Sequence, residues 1–320
     1  MKRDRFTPVA ILIVLAVAGG AQAAGYRAPR TASGQPDLQG IWSLVSLTDL
    51  ERPRELPTRA VTEAQAKVYE AKQDGTPGIP NDAVGQNEAE WWEIGAKLGR
   101  LDGHPVSSWL IDPADGRLPY SPAGLKALRG AQRAMGASFD GPEVRPAPER
   151  CVTGSSSATG APMLNGAYSS LIQIVQTAAD VVIVAEMNHD ARIISLRDAA
   201  PPPVARDWSG LSVGRWEGDT LVVVTTNFHP QAGWRAPSGL YLSPSARVTE
   251  RFTRTGKDEI RYAYTVEDPS VFTQVWRAEM PIQRSVKPMF EYACHEGNYS
   301  LGGVLAGARE TERAAKAAAR

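Results

Sequence analysis

The sequence predicts a mainly β protein. Its second half should close into an antiparallel, barrel-like sheet, with short helices and loops from the first half wrapped around it. Three observations carry this. From about residue 169 the apolar pattern changes to a period of two. About eight Val- and Ile-rich runs then follow at short spacing, with turn residues between them. Several alternate cleanly. Ile260, Tyr262, Tyr264 and Val266 share one face against Arg261, Thr265 and Glu267; Trp276, Ala278, Met280 and Ile282 oppose Val275, Arg277 and Glu279. Such alternation marks strands with one wet face, and closure removes exposed sheet edges.

Taken in order, residues 1–23 read as a secretory signal: Lys2, Arg3 and Arg5 are basic, an apolar core follows, and Ala21-Gln22-Ala23 offers a cleavage site. Residues 24–168 form the wrapping segment. It holds one strand-like island, Gly40-Ile41-Trp42-Ser43-Leu44, and a helix over 63–73 with Thr62 as N-cap and Glu63 and Lys67 spaced i, i+4. A Pro/Gly loop covers 75–81. A second helix spans 87–98 with Trp91 and Trp92, and a turn covers 112–116. A third helix spans 122–135 with Ser121 as cap and Pro122 at its first position. Residues 139–168 are irregular. Residues 169–303 form the barrel domain, with strands expected over 169–177, 180–187, 192–196, 220–227, 247–254, 259–267, 274–283 and 288–293. The turns between them include 188–191, 217–219 and 256–258. Residues 304–320 form a charged, Ala-rich, solvated helical tail.

Basic and acidic residues balance at 35 each. Loss of the signal leaves a small negative excess, which argues against nucleic acid as a partner. The apolar run near the start is too short to span a bilayer, so no stable membrane insertion is expected after cleavage. The expected location is periplasmic or secreted. The two cysteines, Cys151 and Cys294, then pair as a disulfide; chain entropy makes so long a loop worth roughly 5 kcal/mol.

Of four histidines, two sit beside carboxylates at the ends of strand-like runs. His189 and Asp190 should occupy a hairpin tip, with Glu186 and Arg192 brought together across the two strands. His295 and Glu296 follow Cys294, with Asn298 close behind. An imidazole beside a carboxylate is the minimum for tuned acid–base chemistry. Arg192 can hold a developing anion. His189, Asp190, Arg192, His295 and Glu296 are therefore the candidate catalytic residues. Glu186, Asn298, Tyr168, Tyr262, Tyr264 and Trp276 are candidates to contact a substrate. Turn chemistry and a cross-strand ion pair explain the first cluster equally well.

Missing motifs narrow the field. There is no Gly-x-Ser-x-Gly elbow, no His-Glu-x-x-His zinc pair, no phosphate loop and no dinucleotide fingerprint. No cofactor and no metal are expected.

The strings Asp37-Leu38-Gln39-Gly40-Ile41-Trp42, Glu186-Met187-Asn188-His189-Asp190-Ala191-Arg192, Gly214-Arg215-Trp216-Glu217-Gly218-Asp219-Thr220-Leu221 and Glu291-Tyr292-Ala293-Cys294-His295-Glu296-Gly297-Asn298-Tyr299 resemble those of a widespread, largely uncharacterised family of secreted bacterial proteins. The resemblance covers nearly the whole chain after residue 23. It implies that His189, Asp190, Arg192, His295, Glu296 and Asn298 belong to recurring strings, and it lends no established activity. By fold, the β half is also similar to lipocalin-type barrels, a weaker analogy.

Three functions follow from these features. The first is a cofactor-independent acid–base enzyme (lyase, hydratase or isomerase) acting on a small organic molecule. The second is a lipocalin-like carrier with a pocket lined by Tyr262, Tyr264 and Trp276. The third is a metal-dependent hydrolase or oxygenase.

Overall fold

The computed structural model describes residues 26–72, 95–154, 160–166, 169–197, 206–235 and 238–319. The expected signal over 1–23, Trp91, Trp92 and Tyr168 lie outside them. Of the helix expected over 87–98, only 95–98 is described, and it is not helical.

The chain runs through β1 (Gly40–Ser43), α1 (Glu63–Lys72), β2 (Arg100–Leu101), β3 (His104–Pro105), β4 (Leu110–Asp112) and α2 (Pro122–Ala137). It continues with β5 (Leu171–Gln176), β6 (Asp180–Ala185), β7 (Ala191–Ser195), β8 (Leu211–Glu217) and β9 (Thr220–Thr226). After β10 (Trp234–Arg235) and β11 (Leu240–Tyr241) come β12 (Arg247–Gly256), β13 (Glu259–Glu267) and β14 (Trp276–Arg284). Two helices end it, α3 (Cys294–Gly297) and α4 (Tyr299–Ala318).

Nine strands close into a barrel in the order β1-β5-β6-β7-β8-β9-β12-β13-β14, with β14 returning to β1. All of these pairs are antiparallel except β7–β8. The strand island in the N-terminal segment is thus the closing strand: Trp42 faces Ile172 on one side and Arg284 on the other. β4 adds to β14 at Arg277 and Ala278.

The alternation in β13 and β14 sorts as its period requires. Ile260, Tyr262, Tyr264, Val266, Trp276, Ala278, Met280 and Ile282 are all buried in one core with Trp42, Phe252 and Leu221. The barrel is therefore filled with side chains.

Local signals set the helices. At α1, Gln65 N donates to Thr62 Oγ1 (3.2 Å) and Thr62 N to Gln65 Oε1 (3.0 Å), a reciprocal cap. At α2, Gly124 N donates to Ser121 Oγ at 2.9 Å, and Pro122 takes a position whose N–H has no helical acceptor.

Two differences from expectation have physical causes. β8 carries Gly214 and Arg215, which blur its period; at Gly214 a Cβ would lie 2.7 Å from Ile194 Cγ2, so packing against β7 excludes a side chain there. Residues 288–293 are not a strand. Their amides instead reach side chains of the β6–β7 turn: Phe290 N donates to Glu186 Oε1 at 2.9 Å and Tyr292 N to His189 Nε2 at 3.3 Å.

Candidate functional site

The β6–β7 connection is a tight turn in which Asn188 and His189 both have positive φ (59° and 52°). It places His189 at an exposed tip. Asp190 points the other way. Its Oδ2 accepts from Thr153 Oγ1 (3.0 Å) and Gly154 N (3.1 Å), and burial raises its pKa above the ordinary 3.8.

Glu186 and Arg192 do not meet. Arg192 stands opposite Ile183 and points into the barrel, while Glu186 accepts the Phe290 amide. Inside the barrel Arg192 forms a two-point ion pair with Glu250 of β12: Nη2–Oε2 is 2.6 Å and Nη1–Oε1 is 3.2 Å. Both residues are buried, Glu250 completely. Tyr262 OH donates to Glu250 Oε1 at 2.6 Å and accepts from Met163 N at 2.8 Å. Buried charges of this kind persist because each is paired and hydrogen-bonded. Burial and the Glu250 charge push the Tyr262 phenol far up; the phenol therefore stays protonated and acts as a donor.

The Cys151–Cys294 disulfide is formed. It ties the segment before the barrel to α3, where His295 and Glu296 are exposed. Asn298 Nδ2 donates to Glu149 O at 2.7 Å, and its Oδ1 accepts from Leu301 N to cap α4. The two sequence clusters are thus brought together through Glu186–Phe290 and His189–Tyr292, but on the surface. Tyr262, Tyr264 and Trp276 are core residues, so the barrel mouth expected of them is filled. Among the described residues no three His, Cys, Asp or Glu side chains gather to hold a metal ion.

The cavity lies elsewhere, on the flank of the barrel. It is half open to solvent and offers about 460 Å³ between α2, residues 144–149, Thr153–Gly154, Trp208, residues 230–235 and Tyr241. The α2 wall is Ala127, Gly130, Ala131 and Ala134, small residues at i, i+3, i+4 and i+7, which form one face of a helix. The β10–β11 ribbon is held by Tyr120, whose OH accepts from Tyr241 N (2.8 Å) and donates to Gly239 O (3.0 Å). His189, Asp190, Arg192, His295 and Glu296 do not line this cavity. Asp190 is one layer removed, behind Thr153 and Gly154.

Three charged residues line the cavity: Arg145, Glu149 and Arg235. Arg145 is satisfied: Nε and Nη2 donate to Glu149 (2.9 and 3.0 Å), Nη1 donates to Ser138 O (2.9 Å), and the guanidinium covers the Phe139 ring. Arg235, at the end of β10, donates from Nη2 to Ala161 O at 3.0 Å. Burial lowers its pKa to about 10, helped by Arg192 and opposed by Tyr262 and Glu250. It remains a cation at neutral pH.

Sequence reasoning missed Arg235 and Glu250. For Glu250 a signal existed: it interrupts an otherwise apolar inward series, Val248-x-Glu250-x-Phe252. The α2 stripe of small residues was equally visible. Comparison with family models, with curated proteins and with solved structures returns no match.

Proposed function

We propose that this is an exported binding or carrier protein that holds a small organic molecule in the flank cavity. The observation that carries the reading is the cavity itself. Its volume of about 460 Å³ falls in the range of small-molecule sites, and its wall is largely apolar with few polar groups. The Cys151–Cys294 bridge supports export, since such bonds persist in oxidising compartments. Among the described residues no helix is long and apolar enough to cross a membrane.

The test is titration with a neutral apolar fluorophore, N-phenyl-1-naphthylamine, on wild type and on Gly130→Phe. A Cβ at Gly130 meets nothing within 4 Å, so the new ring projects from the α2 wall without a clash at its base and takes up cavity space. The reading expects saturable binding to wild type that the substitution abolishes. Equal binding to both rejects the cavity as the site.

A second reading, an acid–base lyase, hydratase or isomerase, rests on the His189–Tyr292 contact, which puts His189 and His295 on neighbouring surface segments. His189→Ala and His295→Ala separate the two: the carrier reading expects unchanged probe binding in both.

A further inference from the structure

We propose that the flank cavity selects organic monoanions, an apolar body bearing one carboxylate or sulfonate group, with the anionic group seated on Arg235. This rests on the cavity reading above and adds a ligand class to it.

Arg192, Arg235 and Glu250 lie close enough to influence one another, so two cations share one carboxylate. That carboxylate is taken: one oxygen receives Arg192 and Tyr262, and the other receives Arg192 at 2.6 Å with Thr225 Oγ1 at 3.5 Å. Arg235 makes no ion pair among the described residues. Its Nη2 is spent on the Ala161 carbonyl, its Nε is buried without a partner, and its Nη1 makes no hydrogen bond to a described residue. The remaining acid at the cavity, Glu149, is held by Arg145 on both oxygens. Among the described residues the site therefore carries one positive charge with no ion-pair partner, against an apolar wall.

A guanidinium in this setting favours an anion over a neutral isostere, because charge-assisted hydrogen bonds strengthen where water is excluded. A cation would meet the repulsion of Arg235 and Arg192, with no free carboxylate among the described cavity residues to offset it. The small residues of α2 leave room for the apolar body, and Arg235 lines the cavity from the end of β10.

The experiment displaces N-phenyl-1-naphthylamine from the wild-type chain with decanoate, decan-1-ol and decylamine, which share a chain and differ in head group. The expected result is displacement by decanoate at a concentration at least about tenfold below that of decan-1-ol, with decylamine weakest. Arg235→Met should erase the advantage of decanoate while leaving decan-1-ol within about twofold, on the same energy scale. Arg235→Lys, which keeps the charge, should retain part of it and serves if the methionine variant does not fold. Equal displacement by decanoate and decan-1-ol, or an advantage that survives in Arg235→Met, overturns the anion proposal and leaves the cavity reading standing. Failure of the probe to bind at all, or binding untouched by Gly130→Phe, overturns both.

Discussion

Glu250 is a buried carboxylate and Asp190 a half-buried one, and their surroundings differ. Glu250 sits inside the barrel against Arg192, with Tyr262 donating to the same oxygen that Arg192 Nη1 reaches. Neutralising it strands a buried guanidinium. Glu250→Gln should lower the unfolding free energy by about 3–5 kcal/mol, measured by urea denaturation. Asp190 has no cation at hydrogen-bonding distance among the described residues; burial raises its pKa, and the bonds from Gly154 N and Thr153 only partly offset this. Its folded pKa lies above the ordinary 3.8, so its stabilising contribution is complete below that value and is lost as pH rises through the folded pKa. Asp190→Asn keeps an oxygen for both donors and removes this titration. The stability of wild type relative to the variant should therefore fall with rising pH across that window and flatten above it. A flat difference throughout contradicts the assignment.

At the level of elements, α2 shows how one helix serves two neighbours. Near its start, Gly124 packs so closely on the chain at Val271 that a Cβ would lie 2.0 Å from the Val271 oxygen. Two turns on, Gly130 faces open cavity. Gly130→Ala should stabilise by up to about 1 kcal/mol through helix propensity alone, whereas Gly124→Ala should destabilise; thermal melts of the two variants compare them directly. The strands were legible where the period of two was unbroken, as in β12, β13 and β14. β8 was not, because Gly214 answers to Ile194 across the sheet and not to its own sequence neighbours. The closing role of β1 was hidden for a related reason: its partners lie on β5 and β14, far along the chain, and local pattern carries no pairing information. Residues 288–293 have strand-like composition, yet side chains of Glu186 and His189 take the amides that a ladder would use.

Across the whole molecule, the disulfide joins the cavity wall to the C-terminal helices. Cys151 lies between Glu149 and Thr153, both cavity residues, and its partner opens α3. Asn298 adds a bond to Glu149 O. Reduction should therefore cost about 2–5 kcal/mol of stability and weaken probe binding together, whereas a bridge remote from the site would affect stability alone. Paired titrations with and without reductant distinguish these. The pairing of Cys151 with Cys294 could be read from the count of cysteines; the cavity could not, since its walls come from segments scattered between residues 127 and 241. His189 and His295 drew attention because histidines are few, and the fold does bring their segments together, but on a surface and not in the cavity. Whether the flank cavity is the ligand site is decided by a crystal structure of the protein with decanoate. The chain should lie along Ala127, Gly130, Ala131 and Ala134 with its carboxylate on Arg235; decanoate bound at the His189–His295 surface, with the cavity empty, would contradict the cavity assignment.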